Sequence, residues 1–138
     1  MASLIYNSAV DDMARGAIDF DTDTFKVMLV TSSYTPDKDT HDKRNDVTNE
    51  VSGTGYTAGG VTSVCTVTKD TANDRVTLSF AAVNWATSTI TARAAVIYKS
   101  RGGASSADEL VCYVDFGADV SSSSATFSLG ASVITLQN

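Results

Sequence analysis

The sequence predicts an all-β fold, mainly an antiparallel sandwich or small barrel, with a short N-terminal helix and a long loop insertion. Three observations lead there. Residues 89–99 (TITARAAVIYK) form the longest run of strand-like alternation. Residues 61–81 read as a hairpin around the turn sequence DTAND. About seven strand-like runs follow one another with turn signals at short spacing, the mark of a sandwich or barrel.

Taken in order, the chain opens with a short helix. Ser8 stands as its cap, with Asp11 three residues on as a weak capping-box partner. Tyr6, Val10, Met13, Ala14 and Ala17 share one face, while Asp11, Asp12 and Arg15 face water. Gly16 ends it. So short a helix is marginal alone and must lie against a sheet. Residues 19–24 (DFDTDT) are an acidic connector. Residues 25–31 are a strand with Phe25, Val27 and Leu29 on one face and Lys26, Met28 and Val30 on the other, so both sides are expected to be partly covered.

Residues 32–60 break the pattern. They hold Pro36, the charge run DKDTHDKRND and the glycine-rich stretch NEVSGTGYTAGG, and read as a solvated, irregular loop. A loop this long is often functional or interface-forming. The chain then turns strongly β. Residues 61–69 and 75–81 pair across the turn at 70–74, and residues 83–85 lead towards the longest strand. There Ile90, Ala92, Ala94, Val96 and Tyr98 fall on one face, opposite Thr91, Arg93, Ala95 and Ile97. After a flexible turn at 101–109, residues 110–116 alternate again. Residues 125–129 and 132–136 are two short strands separated at Gly130, and the serine run 121–124 is a loop.

The 138 residues make one domain, long enough to bury a core. With 43% apolar and 19% charged residues the chain is neither a disordered tail nor a coiled coil. A net charge of −6 repels a phosphate backbone and argues against nucleic-acid binding. No apolar run is long enough to cross a bilayer, so no membrane partner is expected. The N-terminus lacks the basic start and apolar core of a signal peptide, which places synthesis in the cytoplasm. Cys65 and Cys112 lie in apolar strand-like runs and read as buried thiols, a disulfide between neighbouring strands being the other option.

Reactive chemistry is sparse. His41, the only histidine, sits in the charged loop, away in pattern from both cysteines, and reads as a solvated side chain. Asp19, Asp21 and Asp23 have the opening spacing of a calcium loop, but Thr24 replaces its glycine and Val30 its bidentate glutamate. The loop glycines match no phosphate-binding spacing. Nothing singles out Asp115 and Asp119 as a carboxylate pair. Trp85 and Tyr34, Tyr56, Tyr98 and Tyr113 have the chemistry to line a sugar site, or to fill a core or interface. No catalytic residue, cofactor or metal is expected, and the chain reads as a non-enzyme.

The stretches SLIYNSAVDDMARGAIDFDTDTFKVMLVTSSYTPDKDTH, NEVSGTGYTAGGV, NWATSTITARAAVIYK and LVCYVDFG, in that order and over most of the chain, resemble a family of small virion structural proteins of tailed bacteriophages and prophages. The resemblance implies a product made in the bacterial cytoplasm and built into the particle. As a capsid decoration or cement protein it would bind the major capsid protein and copies of itself, such as a trimer, on the outside of the head. The alternatives are a tail or head–tail connector component and, in another class, a receptor- or carbohydrate-binding module. Leu4, Tyr6, Tyr34 and Tyr56 are the candidate interface residues. The apolar stretch 2–6 either docks on a neighbour or begins the domain's own core.

Overall fold

A computed structural model describes residues 2–138. Its strands are β1 Leu4–Ile5, β2 Phe25–Val30, β3 Val61–Thr62, β4 Cys65–Asp70, β5 Arg75–Phe80, β6 Val83–Ser88, β7 Thr91–Lys99, β8 Leu110–Ser121, β9 Ala125–Leu129 and β10 Ser132–Gln137. The helix α1 spans Asn7–Ala14, and single 3-10 turns lie at Arg44–Asp46, Thr71–Asn73 and Ser105–Ala107. All strand pairing is antiparallel, and the all-β class with a short N-terminal helix holds.

One layer is a five-stranded sheet in the order β1-β8-β7-β2-β3. The other is a ribbon. β5 runs into β6 and β9 into β10, and the pairing carries round the corner without a slip, with Phe80 opposite Ser132 and Val83 opposite Leu129. The corner falls at Ala81, Ala82, Gly130 and Ala131, where small side chains let two strands bend together. β4 adds a third strand beside β5, through the hairpin turn the sequence marks. Asp70 accepts the N–H of Asn73 and Asp74 takes the left-handed conformation at φ 53°, a conformation aspartate tolerates.

The main core lies between the layers. Phe25, Val27 and Leu29 of β2 and Ala95 and Ile97 of β7 meet Leu78 and Phe80 of β5, with Trp85 and Phe127 filling the ribbon's far end. The opposite face of the large sheet is also dry. Met28, Val30, Ala94, Val96, Tyr98, Leu110 and Tyr113 form a second core with Tyr6 and Tyr34. Tyr34 comes from the long loop, which therefore covers that face instead of standing in solvent; Pro36 and Val51 are buried as well.

Several sequence expectations change. β7 does not keep one apolar face. Ile90 and Ala92 enter the main core, whereas Ala94, Val96 and Tyr98 enter the second. The cause is a register break at Arg93: Ala92 faces Val120 but Ala94 faces Asp115, so residues 116–119 of β8 leave the ladder opposite a single residue. A smaller bulge at Val111 puts both Val111 and Cys112 into the main core. The expected strand 61–69 is two strands, because the chain changes layer at Ser63, whose buried hydroxyl donates to the Ala81 carbonyl (2.7 Å). Tyr6, not Ser8, holds the helix's N-cap position, and Ser8 lies inside the helix with its hydroxyl towards the His41 carbonyl (3.5 Å). Ala9 is the buried helix residue, while Val10 is 54% exposed and Ala14 also faces water.

Candidate interaction surface

Two of the four candidate interface residues, Tyr6 and Tyr34, point inward. Leu4 and Ile5 pair with Tyr113 and Cys112, so the apolar N-terminal stretch begins the domain's own sheet. Tyr6 and Tyr34 are enclosed, and Leu4 and Tyr56 are half-buried. An interface resting on the first two rings would require the chain to open.

Their hydroxyls are also engaged. The Asp37 backbone N–H donates to His41 Nδ1 (3.2 Å), making that nitrogen an acceptor. The Tyr34 hydroxyl, 2.9 Å from the same atom, is then a donor, and Tyr6 donates to Tyr34 over 2.9 Å. The Tyr34 and His41 rings stack at 5.7 Å. Burial raises both phenols above the usual tyrosine range, Tyr6 by much the more. His41 is thus half-buried and fixes the loop, where the sequence suggested a solvated side chain. Tyr56 donates to Glu50 Oε1 (2.7 Å) and accepts the Leu29 N–H (2.9 Å); Glu50 also accepts the Gly59 N–H (2.6 Å).

A charged clasp holds the same loop from the other side. Arg101 meets Glu109 at 3.0 Å through Nε and 2.5 Å through Nη2, with Lys43 at 3.8 Å. Arg44 bonds Asp108 at 2.8 Å and lies over the Tyr98 ring, 5.1 Å from its centroid. Both carboxylates are buried. Burial alone would raise the Glu109 carboxyl, but the Arg101 bonds and the nearby cations outweigh it and hold the group below the usual range. Asp12 is the opposite case. Its Oδ2 is buried without a partner among the described residues, and desolvation, only partly offset by Lys43, raises its pKa.

The other sequence candidates have structural roles. Asp23 pairs with Lys99 (2.8 Å) and accepts the Asp19 N–H (2.8 Å), and Asp19 accepts the Asp21 N–H (2.9 Å), closing a tight turn. Asp115 bonds Arg93 (3.0 Å) beside the β8 excursion. Cys65 and Cys112 are buried free thiols, raised by burial to about 11 and about 12. Trp85 is 3% exposed and packs on Tyr56 and Phe127, and Tyr98 and Tyr113 are buried too, so these rings offer no platform for a sugar.

What sequence reasoning missed is an apolar groove on the open side of the sandwich, between β1 and α1 in one layer and β10 in the other. Its outer part, about 400 Å³, is lined by Leu4, Ile5, Tyr113, Val133 and Ile134. It continues past Ile5 and Ile134 over Met13, Phe20, Leu78 and Leu136. Ile5, Val10, Val133 and Leu136, all exposed, stand around it. One signal was available in the sequence: from Val120 to Asn138 the chain carries no charged residue and no histidine. No protein-family model matches the chain, and comparison with curated proteins and with solved structures finds no match.

Proposed function

We propose that this chain is a structural protein of a tailed-bacteriophage particle. It acts as a decoration or cement protein that binds the outer surface of the head, through the major capsid protein and copies of itself. One observation carries the reading beyond the resemblance. The side chains with reactive chemistry are engaged in holding the fold, while four exposed apolar residues, Ile5, Val10, Val133 and Leu136, stand around one groove. Such a division suits a protein whose work is contact with other proteins. Cementing then follows from added interface area between neighbouring capsid subunits, and a loop already fastened to its own sheet avoids an ordering penalty on docking.

The test is the inventory of purified particles by quantitative mass spectrometry, with a cryo-EM map to locate the density. On the order of hundreds of copies per particle, arranged with the head's symmetry, is the expected result. A few copies, or a few dozen, at the neck or tail would move the protein to the tail or head–tail connector. Absence from particles would overturn the structural role altogether.

A further inference from the structure

We infer that the free edge of β10 is the contact between two copies of this chain, joined antiparallel about a two-fold axis. This deepens the self-association part of the reading above and rests on it. β10 is an edge of its sheet: its six residues pair with β5 alone among the described strands. An edge strand presents unpaired N–H and C=O groups, and monomers guard such edges with charges, prolines, bulges or brevity. The other long edge of the same sheet, β4, carries Lys69 and Asp70. The edges of the large sheet, β1 and β3, are two residues each. β6 is broken by a register shift between Trp85 and Ser88. β10 reads SVITLQ, with no charge, no proline and an unbroken six-residue register.

Charge selects a second copy as the occupant. Two chains of net charge −6 repel, so a self-contact is favoured where neither brings a carboxylate. The segment 120–138, which has no charged side chain, contains all of β10, and identical edges placed antiparallel are self-complementary, as two-fold symmetry requires. The joined ribbons form a six-stranded sheet, β4-β5-β10 continuing into β10-β5-β4 of the second copy. The same approach brings the second copy over the groove mouth, where Ile5 (42% exposed) and Val133 (58% exposed) stand open in the single chain.

The experiment is solution mass by sedimentation and light scattering across a concentration series, on the unaltered chain, Val133→Lys and Val64→Lys. Val133 and Val64 are both exposed, so neither change disturbs the core, and circular dichroism verifies the fold. Val64 precedes the opposite edge β4 and serves as the control. The expected result is an even-numbered assembly for the unaltered chain and Val64→Lys. Val133→Lys, which sets two lysines near each other across the axis, associates at least about tenfold more weakly. Hydrogen exchange on the unaltered chain gives an independent readout: protection of the amides of 132–137 rises with concentration. A monomer at all concentrations, or an assembly indifferent to Val133→Lys with no gain of β10 protection, overturns the inference. Either outcome leaves the particle role to its own test, since a protein that binds the head as a single copy still appears in purified particles.

Discussion

Tyr34 shows how one residue fastens two parts of the chain. Its ring closes the second core, and its hydroxyl sits between Tyr6 and His41. Tyr34→Phe leaves the buried Tyr6 hydroxyl without its acceptor while barely changing the packing. The expected loss is about 1–3 kcal/mol in urea unfolding, with the secondary structure unchanged. Asp12 makes the reverse case. Its folded pKa lies above the unfolded value, so the ionised group opposes folding at neutral pH and that opposition fades as pH falls through the carboxylate range. Asp12→Asn is expected to raise stability at pH 7 and to make no difference near pH 2, measured by unfolding at both values. Neither role was legible in the sequence. Tyr34 and His41 lie seven residues apart in a stretch without periodicity, and their partnership with Tyr6 depends on a sheet that forms elsewhere.

At the scale of elements, the strands were legible, and their phase was legible only where the ladder is unbroken. The alternation in β2 gave both of its faces, because the strand pairs without a bulge. In β7 the same reasoning assigned one face too many residues, since the break at Arg93 comes from what β8 does across the ladder. The loop 32–60 was recognised as irregular, but its cover over the second core was invisible, because it is held by scattered contacts such as Arg44 with Asp108 and Glu50 with Gly59. Its return to the sheet passes through Gly60 at φ +76°, where an added Cβ would collide with the Val27 carbonyl. Gly60→Ala is therefore expected to cost at least about 2 kcal/mol, read as a lowered urea midpoint. Gly102→Ala, also at positive φ but in open space, separates backbone strain from collision and costs less.

For the whole molecule, acid is the condition that tests the assembly of loop and sheet. Glu109 is held below its ordinary pKa by Arg101 and Lys43, so its contribution to stability is present above about pH 4.5 and is lost as pH falls through the folded value. Unfolding free energy measured from pH 7 down to pH 3 should fall through that window, and less steeply in Glu109→Gln, which starts from a lower stability. The antiparallel all-β class was readable from turn spacing and alternation, with sandwich and small barrel both left open, whereas the apolar groove was not, since it arises where two edges from different layers come to lie on one side. The excursion of β8 carries a practical corollary. The chain leaves the ladder after Asp115 and rejoins it at Val120, with Gly117, Ala118 and Asp119 out in water. A guest peptide spliced beside Ala118 would lengthen a detour that already exists, leave the rungs on either side in step, and be displayed outward from a rigid scaffold.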